Sequence, residues 1–516
     1  MQPCEDYFVS HNQHYHQIPQ CLQYSFTHQR VSLRESYIMA RFRDIPQELL
    51  CAIIGSCQDQ HRHALVSSPY LPGIGLAYKI LNDRRVSTKS LLSLSLTSKE
   101  LNRLTEPYLY ESWGTTGNDC ESWTRVKLRS LQRFLLAILS RPHLAFYVRY
   151  VEANCWTELG IQQVHFISSQ SADIQLLTQA ARKIAVPDVE SWIWALKTGS
   201  SDAYMALLFS QAVRLKELSL ALPPCAKYSN QIVHQAAGHG TGFKALQHLS
   251  KISFAWPEHT GQRGLYEVTP YLCLPSVEAY HATHAWRCTD PEVSWGWYTQ
   301  KRNRLEGTPS LAPKLKTIDL RKTNLDPNAM KRLLSAYRSL ESFELLVKLE
   351  PGQRYVVNTL GPLAFLQALQ PSISTLRHLR LGAHLALTSG RVLPLGSLQG
   401  FDHLTSLDID VQILLGGDPR TAPSLADILP SSIESLVLRY WVATELWDDD
   451  DLISHLWALV PQAADQMQRL HTVHLVKAFG RHDLCGTFSM DEPELTAAFS
   501  AARTHLPSKL PDVKCI

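Results

Sequence analysis

The 516-residue chain carries 50 basic and 47 acidic residues, a formal charge of +3, so no overall field points to nucleic acid. Its hydrophobic fraction of 45% is that of a soluble globular protein, and no apolar run reaches the roughly 18 residues of a membrane-spanning helix. Eleven scattered cysteines without a Cys-x-x-Cys pair fit reduced thiols of the cytosol or nucleus rather than a disulfide framework.

Residues 1–38 are polar, rich in His and Gln, and lack helical or strand periodicity, so they read as a disordered extension. Met39 stands directly before the first patterned segment and is a second candidate initiator. His11, His14 and His16 lie close together but without carboxylate or Cys support, and read as an incidental polar cluster.

The first patterned stretch runs from Asp44 to Tyr110. Asp44 can cap a helix whose first turn holds Pro46, and Glu48 sits near the positive end of its dipole. Leu49, Leu50, Ile53, Ile54 and Cys57 then share one broad apolar face. Residues 58–88 interrupt with loop chemistry, Pro69-Tyr-Leu-Pro72-Gly73; Gly73-Ile-Gly75 lacks the third glycine of a dinucleotide site. A second helical stripe follows through Leu91, Leu94, Leu101 and Leu104, with Pro107 expected to stop it. So few short helices cannot bury every apolar side chain, which leaves surface for a partner or for the rest of the chain.

The Ile45-Pro46 pair, the Glu48-Leu49-Leu50-x-x-Ile53 run, Leu94-Ser-Leu-Thr-Ser-Lys99 and Pro107-x-Leu-Tyr110 together resemble an F-box. The version resembled is that of fungal F-box proteins with a C-terminal leucine-rich-repeat-like domain. The insert at 58–88 and the absence of a tryptophan in the last helix, where Leu101 stands nearest, depart from that pattern. The resemblance implies docking to a Skp-type linker of a cullin–RING ubiquitin ligase. Ile45, Pro46, Leu49, Leu50, Ile53, Leu91, Leu92, Leu94 and Leu96 match the docking motif; which of them touch the linker and which pack internally stays open.

From Ser130, Leu131 to Leu139 reads as a helix ending near Arg141-Pro142, and Leu144 to Val151 reads as a strand. Helix, Arg-Pro-x-Leu, then Tyr-Val-Arg again is similar to the entry into the repeat region of those fungal proteins. Downstream, the frame apolar-x-x-apolar-x-apolar recurs with starts at Leu215, Leu249, Leu315, Leu340, Leu376, Leu404, Ile433 and Leu470. Weaker copies start at Val148 and Leu274, and successive starts are about 25 to 41 residues apart. Helical stretches lie between or after them, at Asn328–Ser339, Pro362–Leu369, Leu452–Met467 and Glu492–Leu506.

Strand and helix in alternation predict an α/β solenoid, with parallel strands inside and helices outside. The expected layout is 1–38 extension, 39–113 F-box-like helices, 114–143 linking helix and 144–516 leucine-rich-repeat-like solenoid. Period-2 alternation places the residues between the apolar ones in an exposed row on a concave sheet surface. That row includes Glu217, Ser219, Lys251, Ser253, Thr317, Ser342, Ser406, Ser435 and Thr472. Its charged and histidine members, the candidate target-binding residues, are Asp319, Arg321, Glu344, His378, Arg380, Asp408, Asp410, Arg439 and His474.

Other motifs carry less. His281-x-x-His284 with Cys288 has zinc-like spacing, but Ala282 stands where a helical zinc motif wants glutamate. Trp286, Trp295, Trp297 and Tyr298 read as a packed insertion or a partner anchor, and Asp448–Asp451 as a solvated loop before a helix. Neither a nucleophile elbow nor a phosphate-cradling loop occurs. The sequence therefore reads as a non-catalytic adaptor without cofactor or metal, binding a Skp-type linker, the cullin–RING subunits and an unknown target protein. The alternative is a repeat scaffold for protein partners outside any ligase.

Overall fold

The computed structural model describes residues 90–115, 123–153, 172–221 except 185 and 187, 226–238, 243–255, 268–283, 314–323, 327–348, 362–384, 393–441, 469–478 and 512–515, with scattered positions between 447 and 467. The chain divides into two compact units, Met1–Ser56 and Cys57–Ile516. The first lies outside the described residues, as do the insert at 58–88, the aromatic set from Trp286 to Tyr298, and the helix expected at 492–506.

Twelve strands form one sheet, paired strictly in chain order. They are β1 (Ser112–Thr115), β2 (Tyr150–Ala153), β3 (Glu217–Leu220), β4 (Lys251–Ala255), β5 (Ala279–Thr283) and β6 (Thr317–Thr323). β7 (Ser342–Lys348), β8 (His378–His384), β9 (Ser406–Asp410), β10 (Ser435–Trp441), β11 (Thr472–Ala478) and β12 (Asp512–Cys515) complete it. Every neighbouring pair is parallel. Each strand thus enters from the same side after a return over the convex face, the arrangement of a solenoid.

The repeat frame sets the register. Leu218, Ile252, Tyr280, Ile318, Phe343, Leu379, Leu407, Leu436 and Val473 stand side by side across nine strands. The apolar residues of the eight strong frames are buried, apart from the partly buried Leu475. A one-residue slip would turn this whole set onto the polar face, which is why the register is firmly specified. Just ahead of the strands a second rail runs through the backbone. The Arg149 carbonyl accepts from Lys216 N (2.8 Å) and Glu217 N (3.0 Å), and Lys216 accepts likewise from Ser250 and Lys251. The rail continues through Ser250, Glu278, Lys316, Glu341, Arg377, Thr405 and Glu434.

Helices differ along the array. α1 (Lys99–Leu109) is capped by Ser98, whose Oγ accepts from Leu101 N at 3.1 Å. Pro107 does not stop this helix but lies within its last turn, where it removes one hydrogen bond only. That turn is held from outside: Arg141 Nη1 pairs with Glu106 at 2.6 Å and Nη2 donates to Tyr110 Oη at 2.8 Å. α2 (Trp123–Ser140) begins before the expected start. The strand expected from Leu144 begins only at Tyr150, because Pro142–Phe146 forms a 3-10 turn instead.

Between β2 and β3 lie α3 (Ala172–Arg182), α4 (Val189–Thr198) and α5 (Ser201–Gln211). α5 is buried from Asp202 through Phe209 and touches α2, α4 and the following α6 (Lys227–Ala237), so it is apolar on all sides. Two polar devices lock these helices. Gln132 donates to Tyr204 Oη, which donates to the Leu196 carbonyl, both at 2.9 Å, and burial pushes the Tyr204 phenol up to about 12. The Asp202 carboxylate caps α6, accepting from Tyr228 N at 2.7 Å and Ser229 N at 3.1 Å. Among the described residues, the convex helices beyond β4 are short: Thr269–Leu272 has four residues, α7 (Pro327–Ser335) nine and α8 (Pro362–Leu369) eight.

Three repeat copies differ from the sequence reading. The frame placed at Leu274 lies three residues later, at Val277-x-x-Tyr280-x-Ala282, because Tyr280 is registered with Ile252 and Ile318. Trp113 pairs with Val151 and Val513 with Val473, so β1 and β12 extend the sheet at both ends. Among the described residues no helix is long and apolar enough to cross a membrane.

Candidate functional site

The polar face of the sheet gathers charge in its centre. Down the middle row, successive strands present Ser219, Ser253, His281, Asp319, Glu344, Arg380 and Asp408 side by side. Strands lie ~4.8 Å apart, so ionic side chains in adjacent positions meet directly. His281 Nδ1 lies 3.0 Å from Asp319 Oδ2, and Arg321 Nε donates to Asp319 Oδ1 at 2.9 Å. Arg321 Nη2 donates to Glu344 at 3.2 Å, and Arg380 Nη1 to the other Glu344 oxygen at 2.7 Å. Arg380 Nε then stands 3.1 Å from Asp408, whose carboxylate also accepts from Arg439. Seven side chains from six strands thereby form one alternating ladder.

Two backbone features make room for it. A register shift between Arg321 and Thr323 in β6 re-aims the strand beside the Arg321 guanidinium. Gly382 on β8 lets Arg439 reach across β9: a Cβ there would lie 2.9 Å from Leu346 Cδ2 and 3.4 Å from Arg439 Nη1.

The ladder tunes its own members. Burial would raise the Asp319 carboxyl, but hydrogen bonds from His281 and Arg321 outweigh it and hold the group below its ordinary value. Glu344 goes the other way: burial, joined by the charges of Asp319 and Asp408, raises it against the pull of Arg380 and Arg321. Burial would loosen the Arg321 proton, and the carboxylates of Asp319 and Glu344 hold it more tightly than usual.

Residues 134–484, more than half of the chain, match the leucine-rich repeat domain. The chain belongs to the leucine-rich repeat family. Comparison with curated proteins finds no match. A leucine-rich repeat array of parallel strands with a polar face is suited to binding proteins.

Of the nine charged and histidine residues read as target-binding members of the exposed row, six join in the ladder: Asp319, Arg321, Glu344, Arg380, Asp408 and Arg439. Exposure is where the expectation fails. Asp319, Asp408, Asp410 and Arg439 are all buried, Asp410 with only 1% of its surface accessible. Period-2 alternation assigns a face, not an exposure, and on this face opposite charges at strand spacing cover one another. His378 is exposed at the start of β8, outside the ladder, and His474 lies on β11 beyond Val437. Sequence reasoning treated His281 only as a zinc candidate; the misplaced β5 frame hid that it is Asp319's neighbour. His284 and Cys288 lie outside the described residues, among which no group of three or more His, Cys, Asp or Glu is placed to hold a metal.

The linker set divides. Ile45, Pro46, Leu49, Leu50 and Ile53 lie outside the described residues. Leu91 is buried and Leu94 half-buried in the helical turn at 90–95, while Leu92 and Leu96 are exposed, at 51% and 80%.

Proposed function

We propose that this leucine-rich repeat protein is the target-binding adaptor of a cullin–RING ubiquitin ligase. The F-box-like segment docks a Skp-type linker, and the polar face of the repeats holds the target protein. The reading rests on one observation above others: Leu92 and Leu96, four residues apart on one side of a helical turn, face solvent, whereas most other leucines among the described residues are buried. Both positions match the docking motif of the family that the segment resembles. Binding energy alone does the work, by raising the target's effective concentration near a ubiquitin-loaded partner.

Co-expression with a Skp-type linker, followed by pull-down and size-exclusion chromatography, tests this. Wild type forms a one-to-one complex; Leu92→Asp/Leu96→Asp loses it and keeps the wild-type thermal melt of the repeats. Absence of any complex with the wild-type chain would sink the ligase reading and leave a repeat scaffold that binds protein partners.

A further inference from the structure

The backbone rail ahead of the strands carries a charge pattern of its own. From Glu278 onward its side chains alternate: Glu278, Lys316, Glu341 and Arg377, with Lys316 Nζ 3.6 Å from Glu341. At the first repeats the alternation breaks. Arg149 and Lys216 occupy adjacent rungs, tied by the hydrogen bond from Lys216 N to the Arg149 carbonyl at 2.8 Å. Two like charges at neighbouring strand positions oppose folding, so the fold has no use for this pairing. Arg149, Lys216 and Arg214 form no salt bridge among the described residues. Glu111 stands on the preceding rung of the rail, and Glu217 is the first residue of β3.

Beside this pair, the Arg214 guanidinium sits over the Phe146 ring, 5.5 Å from its centroid, and 48% of Phe146 remains exposed. An uncompensated cationic pair next to an exposed aromatic carrying a third cation is the composition of an interaction hot spot.

We propose that this rim of the first repeats, built from Phe146, Arg149, Arg214 and Lys216, docks an acidic segment of a partner protein. Carboxylates of the segment would pair with Arg149, Arg214 and Lys216 while an apolar residue between them covers Phe146. Of the chain's own acidic run, Asp451 is described and lies far from this rim. Asp451 follows β10, eight strands from β2, or ~38 Å at the usual strand spacing. The site shares no residue with the linker set or with the ionic ladder, and stands or falls without the ligase reading.

Fluorescence anisotropy with the full chain tests it, using a 12-residue peptide of alternating Glu and Leu as probe and its Gln–Leu counterpart as control. The acidic peptide binds and the control does not. Arg149→Glu/Lys216→Glu weakens binding at least about tenfold, and Arg149→Gln/Lys216→Gln also weakens it without lowering the melting temperature, because the neutral pair removes a repulsion. Phe146→Ala weakens it by a smaller factor, and Arg377→Glu, on the same rail, leaves it unchanged. Equal affinity in the double variant, or an equal loss in Arg377→Glu, overturns the proposal. So does a 12-nucleotide RNA that binds as tightly and loses binding in the same variant, or a concentration-dependent dimer that the variant abolishes. Arg149→Gln/Lys216→Gln supplies the same comparison should the charge reversal fail to fold.

Discussion

Strands β1–β4 and strands β5–β10 share one frame and one register, yet they are held together differently. Behind the first group stand the long α2 and the fully buried α5, with α4 and α6 packed around it, and the polar face in front carries small residues such as Ser219 and Ser253. Behind the second group the helices among the described residues shrink to nine residues or fewer, and the polar face in front is locked by the ionic ladder. Where apolar burial behind the sheet is thick, the front carries small polar residues in its middle row. Where it is thin, paired charges in front take part in holding neighbouring strands. A buried ionic ladder gives less net stability than its Coulomb attraction suggests, because each charge has been taken out of water. What it gives is register, since a strand shifted by one residue would leave charges buried and unpaired.

The comparison can be broken most severely from the first group. Phe209→Ala, in the last turn of the buried α5, should cost about 3–5 kcal/mol in chemical denaturation, and an effect below about 1 kcal/mol would mean that α5 is not the pillar described. In the second group, Arg380→Ala should cost about 3 kcal/mol, because it leaves Glu344 and Asp408 without their shared partner. A double-mutant cycle with Glu344→Ala should show strong coupling; additivity would dissolve the ladder into separate pairs. Gly382→Ala should cost about 1–3 kcal/mol through the contact with Leu346 and the crowding of Arg439, whereas Gly114→Ala, whose Cβ would meet nothing closer than 3.4 Å, should be near neutral.

The smallest effect is a pH slope, and its sign is opposite for two ladder members. Glu344, raised by burial and its acidic neighbours, contributes stability that is present below the ordinary glutamate value and lost as pH rises through its folded value. Asp319, held low by His281 and Arg321 despite its burial, contributes stability that is present above the ordinary aspartate value and lost as pH falls through its folded one. The relative cost of Glu344→Gln should therefore grow between pH 7 and the carboxylate range near about 4. That of Asp319→Asn should shrink only below it. Parallel slopes from thermal melts across this range would show that the two carboxylates do not share one network.

Much of this was legible in the residues. The eight strong frames, from Leu215 to Leu475, landed on strands in the expected parallel order, and Pro362–Leu369 is helical as expected. Less legible were the ends of the array. Trp113 and Val513 sit in frames weakened by Gly114 and by a cysteine, and only pairing with β2 and β11 reveals them. The Leu274 frame misled because Leu274, Val277 and Tyr280 are all apolar at three-residue spacing, so two frames fit the same letters. The helix through Pro107 was hidden for a different reason: its last turn is secured by Arg141, about 30 residues away in sequence.

The sequence by itself determined the solenoid, its polar face and most of the residues on it, because a period of two and a recurring frame are local properties. Only the tertiary structure decided which of those residues are free. Burial of Asp319, Asp408 and Arg439 depends on which charge the neighbouring strand brings to within ~4.8 Å, and that neighbour lies 20 to 40 residues away along a chain of uneven repeats. For the same reason the unmatched pair Arg149 and Lys216, 67 residues apart, became visible only once β2 and β3 were laid side by side.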